Sequence, residues 1–392
     1  MKILKTLFVI LAFAMVACDK NEFPTYIPDN DNDVLIPSLG TPSDYEIWFT
    51  TTNDKELISF NPSAFDVEVE EVVYSEIDYH IIRFKDRVTK IGEKAFANCF
   101  NLYNISLPHS ITTIGKQAFY ECKGIEGLTL GAGIVSCDTQ AFDNCINILS
   151  LHVPSLKSWC AIEFADRSAN PAYFSQSFLV NGTTVKSASI PNGVKSIGSF
   201  AFYDNKYITE ITIPASVERV GKKTFVGCEY ITKVSAEDVN AWCGIDFEDI
   251  DSNPLAIAGC KFYSGDALVT DLSLIAVEEI KPHTFYSCNS LQLLTVDDAT
   301  SVIGAEAFRA CSELASVTLG SGITSIGEKA FMSCKELKKI VCYATTPPQL
   351  ADDLVFDYHA EERKIYVPSE SLDAYKNHKA WSRYADSIEA IE

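Results

Sequence analysis

An internal repeat constrains this chain more than any other feature. The nonapeptide IGEKAFANC that begins at Ile91 returns as IGKQAFYEC at Ile114, and IGAEAFRAC at Ile303 returns as IGEKAFMSC at Ile326, each pair 23 residues apart. Weaker copies begin at Cys137, Ile197, Val220 and Ile280. In all eight copies a phenylalanine holds the same offset: Phe96, Phe119, Phe142, Phe202, Phe225, Phe285, Phe308 and Phe331. A unit this short cannot bury its own apolar face, so copies in register must stack on one another into a solenoid. The 392 residues are therefore read as one growing stack rather than as a set of globular domains.

Behind each nonapeptide the chain alternates apolar residues with Ser or Thr, as in Ile105-Ser106-Leu107 and Val317-Thr318-Leu319. That period of two belongs to a strand with one buried face, so each coil contributes a strand to a parallel ladder. The Gly after Ile suits a tight turn, and Pro108, Pro154, Pro191 and Pro214 end strands by withholding a ladder donor. The outward positions Ser106, Thr129, His152, Ser189, Thr212, Ser235, Ser273, Thr295, Thr318 and Val341 form a shallow strip, mostly of hydroxyl groups.

A longer period overlies the short one. Trp159-Cys160-Ala-Ile-Glu-Phe is echoed by Trp242-Cys243-Gly-Ile-Asp-Phe, and Asn170-Pro171 by Asn253-Pro254, both at an offset of 83 residues. Each echo lies in extra chain, near 153–187 and 236–271, that is expected to form loops or short helices on one face before rejoining the ladder. Binding surfaces favour aromatic anchors. The insertion residues Trp159, Tyr173, Phe174, Trp242, Phe262 and Tyr263 are thus the candidate ligand contacts, against the alternative that they pack the insertions onto the solenoid.

The motif I-G-x-x-A-F-x-x-C followed by an apolar position and a short strand resembles the BspA-type leucine-rich repeats of bacterial surface proteins, over about Ile81 to Cys342. The resemblance implies a mainly β repeat solenoid with a parallel β ladder and short helical or irregular segments. It also implies a non-enzymatic module for attachment to host extracellular proteins or to other cells. Cys99, Cys122, Cys145, Cys228, Cys288, Cys311 and Cys334 share one repeat position, with Asn205 in the eighth copy. They are expected to form a ladder of small buried side chains rather than metal ligands, since paired Cys-x-x-Cys spacing is missing.

The ends are read as follows. Lys2 and Lys5, then apolar Leu7–Val16, give residues 1–17 the form of a secretory signal, and Met15-Val16-Ala17-Cys18 resembles the lipobox of bacterial lipoproteins, which implies acylation of Cys18. Residues 18–42 read as a flexible tether, 43–86 as an amino-terminal cap, 87–348 as the solenoid and 349–392 as a carboxy-terminal cap. Within that last cap, Ser369 to about Ile388 is expected to be a helix with Leu372, Tyr375 and Trp381 turned inward. Asp29, Asp31 and Asp33 imitate a calcium loop, but Val34 stands where that loop needs Gly.

The net charge of −21 gives nucleic acid and anionic lipid head groups no electrostatic attraction, so membrane contact is expected through the lipid anchor alone. Neither a nucleophile elbow, a phosphate-binding glycine loop nor a metalloprotease helix pattern is present. No enzyme activity, catalytic residue, metal or cofactor is expected. The expectation is a monomeric outer-membrane lipoprotein exposed at the cell surface. Its partner is a host protein or a cell-surface glycan, with carbohydrate capture by the insertion aromatics and a purely structural envelope role as alternatives.

Overall fold

In this computed structural model residues 35–53, 56–75, 78–358 and 362–391 are described. The signal segment, Cys18 and the Asp29–Asp33 run lie outside them. Each regular coil carries two strands. A two-residue strand such as Lys90–Ile91 opens the nonapeptide, and a longer one such as Leu102–Ser106 follows its cysteine. Ile91 pairs in parallel with Ile114, and that with Cys137, while Ile105, Leu128 and Leu151 run in register along the long-strand ladder. The fold is thus the β-rich repeat solenoid that the periodicity demands.

The repeated phenylalanines fill the coil interiors. Phe96, Phe119 and Phe142 stack with ring centroids 5.0 Å apart, tilted by 11° and 3°, and Phe285, Phe308 and Phe331 continue the pattern at 5.1 and 5.3 Å. Identical side chains on successive strands must recur at about the 4.8 Å strand spacing, so one planar residue per coil yields a column of rings. All eight are buried. Burying each stabilises by about 1.5–3 kcal/mol relative to exposure.

The nonapeptide is a double left-handed turn. Its fourth residue has positive φ in every copy (Lys94 54°, Lys223 53°, Glu306 55°) and so has its eighth (Asn98 63°, Gly227 74°, Ala310 62°). The Gly after Ile serves a different purpose from the one its turn-like setting suggests. Its φ is not positive, and the cause is proximity: a Cβ on Gly327 would lie 2.4 Å from the Ala305 nitrogen, and one on Gly115 would lie 2.8 Å from the Gly92 carbonyl carbon. Neighbouring coils touch backbone to backbone there.

The two insertions are themselves coils. Glu163–Phe164 pairs with Ser136–Cys137 in the short ladder and Phe178–Val180 with Leu151–Val153 in the long one. A helix of five residues, Leu156–Cys160, and two short 3-10 turns lengthen this coil, and Val239–Cys243 does the same in the second. Only the hairpins Val180/Thr183 and Ser264/Ala267 leave the ladder, and they end it. The long-strand face is consequently divided into an eight-stranded, a five-stranded and a six-stranded sheet, here called the first, second and third blocks.

Three further expectations are corrected. The amino-terminal cap is an antiparallel unit in which Glu46–Thr51 lies between His80–Phe84 and the first coil strand, but residues 35–42 of the expected tether are not free of the fold: they pack onto the first block. The solenoid extends one coil past residue 348: Ile326 pairs with Leu350, the Phe331 N–H donates to the Val355 carbonyl, and Phe356 stacks on Phe331 at 5.6 Å. The carboxy-terminal helix is confined to Leu372–Asn377. The chain then returns as strand Ile388–Ala390, parallel to Lys364–Val367. Tyr375 and Trp381 are buried as expected, and the early stop frees the last residues to cover the terminal ladder edge.

Candidate binding surface

The insertion tryptophans are interior girders rather than contacts. Trp159 and Trp242 are each 1% exposed. In a regular coil the N–H of each repeated Phe donates to the carbonyl before the next Phe, as from Phe96 to Ala118 (2.7 Å) and from Phe308 to Ala330 (2.9 Å). That register brings Ala169 and Ser252 to the Phe position of the inserted coils, small residues that leave room for an indole. The donor to the next coil is then supplied by side chains. Trp159 Nε1 (3.0 Å) and Asn170 Nδ2 (3.2 Å) donate to the Ala201 carbonyl, and Trp242 Nε1 (2.8 Å) and Asn253 Nδ2 (3.0 Å) to the Thr284 carbonyl. A buried carbonyl left without a donor is costly, which explains both echoes at the 83-residue offset.

Of the other insertion aromatics, Phe262 is fully buried. Tyr173 and Phe174 are half-buried, 4.8 Å apart, with Tyr203 5.8 Å from Tyr173 and the Arg167 guanidinium 5.7 Å over the Tyr173 ring. Tyr263 is half-buried on the long-strand face, with Lys233 Nζ 5.1 Å above its ring. Among the candidate contacts only Tyr173, Phe174 and Tyr263 thus retain any exposure.

The cysteine ladder is interior. The thiols of Cys122, Cys145, Cys228, Cys311 and Cys334 donate to the carbonyl of the preceding coil's Phe at 2.8–3.2 Å, Cys99 reaches Ser59 O at 3.3 Å, and Cys288 lies 3.8 Å from Ser290 Oγ. Asn205 instead accepts the N–H groups of Tyr207 and Ile208, both at 3.0 Å. Burial raises the thiols of Cys122, Cys145, Cys228, Cys288, Cys311 and Cys334, to about 12 for Cys228 and Cys334, so these stay protonated, whereas the hydrogen bond with the Cys122 thiol lowers Cys99. Cys243 and Cys260 are free and buried. Among the described residues no group of three or more His, Cys, Asp or Glu is placed to hold a metal, and no helix is long and apolar enough to cross a membrane.

The strip of outward strand positions divides at the blocks. In the first, Ser106 and Thr129 are buried beneath residues 35–42, and His152 Nε2 meets the Ile36 carbonyl at 2.8 Å. In the second and third, Ser189, Ser273 and Thr295 are exposed, Thr212 and Thr318 half-buried, and Ser235 and Val341 buried. Alternation along the strands turns Leu268, Ile275 and Leu293 outward with this strip, 39%, 63% and 46% exposed. At the far end Tyr366 continues the Val341 row, with Lys339 Nζ 5.8 Å over its ring. Sequence reasoning missed Tyr366 because its strand was assigned to a cap, and missed the three aliphatics because only aromatics were sought. The surface offers exposed aliphatics and two Tyr–Lys pairs among hydroxyl groups.

The BspA type leucine rich repeat region is the family model that matches, in six copies over residues 67–170, 172–242 and 260–371. No curated protein matches the chain. Solved structures that it resembles include a leucine-rich repeat protein from Bacteroides ovatus, 19% identical, covering 82% of this chain and 90% of that one with a TM-score of 0.34. Another is a leucine rich cell surface protein from Faecalibacterium prausnitzii, 18% identical, with coverages of 87% and 96% and a TM-score of 0.39. A third is the pneumococcal vaccine antigen PcpA, 18% identical, with coverages of 77% and 69% and a TM-score of 0.35.

Proposed function

This chain belongs to the BspA-type leucine-rich-repeat family, and on that premise we propose that it is a non-enzymatic adhesion lipoprotein of the cell envelope. It is held by an acylated Cys18 in the outer membrane, faces outward, and presents its repeat surface to a host extracellular protein or to another cell. The observation that carries the reading is the uncovered long-strand face of the second and third blocks, where Leu268, Ile275 and Leu293 stand in water among hydroxyl groups. Aliphatic side chains left in water on this face supply apolar area for a partner to cover.

The test is binding of the soluble form lacking residues 1–22 to immobilised matrix proteins, mucin and polysaccharides, alongside a Leu268→Asp, Ile275→Asp, Leu293→Asp variant. Saturable binding to a protein, lost in the variant, is expected. Binding that the variant retains removes this face from the reading. Protease treatment of intact cells checks exposure, and Cys18→Ser should release the protein from the membrane fraction. A glycan reading retains one observation in its favour, the Tyr173, Phe174 and Tyr203 rings beside Arg167, and predicts polysaccharide binding that Tyr173→Ala, Phe174→Ala abolishes.

A further inference from the structure

Residues 35–42 lie on the first block as an extended peptide lies in a binding groove. Both backbone groups of Ile36 are read by strand side chains: its N–H donates to Ser150 Oγ (2.9 Å) and its carbonyl meets His152 Nε2 (2.8 Å). Asn104 Nδ2 donates to the Pro37 carbonyl (2.9 Å), and Thr129 Oγ1 to Ser38 Oγ (2.9 Å). The Ile36 side chain, 8% exposed, sits on Gly127, where an added Cβ would come within 2.7 Å of Ile36 Cγ2. Three successive strands thus contribute a donor, an apolar seat and an acceptor to one segment. No turn of the coil requires this arrangement, since the later blocks leave the same rows open.

The fit of this segment is incomplete. Asn104 is 4% exposed and Ser106 is 0% exposed, yet Asn104 Oδ1 and Ser106 Oγ find no hydrogen-bond partner among the described residues. Only Ile36 and Pro42 of the strap are buried, while Leu35, Pro37, Ser38, Gly40 and Thr41 face water. A groove built to read a backbone, with two polar groups unanswered by its own occupant and a hold of two anchor residues, is suited to exchange.

We propose that the first block carries a peptide-binding site, occupied in cis by this strap and vacated for an extended segment of another protein. The incoming segment has a β-branched residue for the Gly127 seat, followed by a backbone carbonyl for the Asn104 amide, and brings a donor for Asn104 Oδ1 or Ser106 Oγ. This site is separate from the face proposed for adhesion and stands or falls independently of it.

The probe is a fluorescein-labelled peptide Val-Leu-Ile-Pro-Ser-Leu-Gly-Thr-Pro, the sequence of residues 34–42, read by anisotropy against the full chain. A tethered competitor acts at an effective concentration of roughly millimolar. The Ile36→Gly chain should therefore bind the probe saturably and at least tenfold more tightly than the wild type. An Ile-to-Asp probe should not bind, nor should Ile36→Gly, Gly127→Val. No saturable binding by a natively folded Ile36→Gly chain overturns the proposal, as does equal binding of both probes. Hydrogen exchange gives a check without substitution: the Ile36 amide should exchange well before those of Ile105 and Leu128, and exchange only together with them makes the strap permanent and overturns the site. A wild-type dimer with straps exchanged makes a second copy the occupant and overturns the foreign segment.

Discussion

If Trp242 and Asn253 are girders that replace a missing backbone donor, their removal should be non-additive. Trp242→Phe keeps an aromatic ring but removes the 2.8 Å bond to the Thr284 carbonyl, which still accepts from Asn253 at 3.0 Å. A lost neutral hydrogen bond costs about 1 kcal/mol and the smaller ring about 1 kcal/mol more, so roughly 2 kcal/mol is expected. Asn253→Ala removes bonds to the His283 (2.6 Å) and Thr284 (3.0 Å) carbonyls and the acceptor for the Leu255 N–H (2.9 Å), at a cost of about 2–3 kcal/mol. In the double variant the Thr284 carbonyl, which has no other donor among the described residues, is bare. That adds about 1–2 kcal/mol beyond the sum. Urea unfolding followed by circular dichroism measures all four corners of the cycle, and loss of contact between the second and third blocks should also split the transition in the double variant. Costs that add to within about 0.5 kcal/mol would show that the two side chains do not share a carbonyl. A Trp242→Phe chain of unchanged stability would show that the indole N–H carries no part of the link to the next coil.

Other positions test the coil geometry. Ala310 occupies the left-handed eighth position with φ 62°, where Gly227 stands in another coil, so Ala310→Gly should stabilise by about 0.5–1 kcal/mol in thermal or urea unfolding, and a loss would mean that its methyl packing outweighs backbone strain. Gly327→Ala, with its Cβ 2.4 Å from the Ala305 nitrogen, should destabilise by about 1–3 kcal/mol or more, and a neutral result would contradict the close contact between coils.

The repeat made the ladders, the ring column and the cysteine column legible because each is a consequence of one residue recurring at one offset. What the sequence hid was whatever breaks that offset. The last coil lacks Gly after its Leu350, has Val355 where the others have Ala or Thr, and places Phe356 25 residues after Phe331, so it does not align with the rest. The echoed Trp and Asn were visible as a pattern, but the pattern is the same for a ligand anchor and for a girder; only the register, which directs both donors at one carbonyl, separates them. The strap was hidden for another reason. An extended segment that crosses strands has no period of its own, and Leu35-Ile36-Pro37 between acidic and polar runs has the composition of a linker. Its structure comes from Ser150, His152, Asn104 and Gly127, all more than 65 residues away.

Interior thiols also make the fold's stability a function of pH, with a definite sign. An unfolded thiol titrates near 9, whereas burial raises Cys160, Cys228, Cys243, Cys260 and Cys334 to about 12 and Cys288 to about 11. The folded state therefore binds more protons than the unfolded state above pH 9, and stability falls as pH rises. Below that pH both states carry protonated thiols and these groups contribute no slope. Each thiol removes about 1.4 kcal/mol per pH unit between its unfolded and folded values, so six acting together remove roughly 8 kcal/mol over one unit, comparable to the stability of a typical domain. These six thiols should give no pH dependence between about 7 and 8.5 and drive steep unfolding between about 9 and 11, with their thiolate absorbance and reactivity toward an aromatic disulfide rising together with the loss of far-ultraviolet dichroism. Thiols that ionise and react while the dichroism is intact would mean that the column is open to water. The bonds from Cys122, Cys145, Cys228, Cys311 and Cys334 to the preceding coil would then have to be given up as a source of stability.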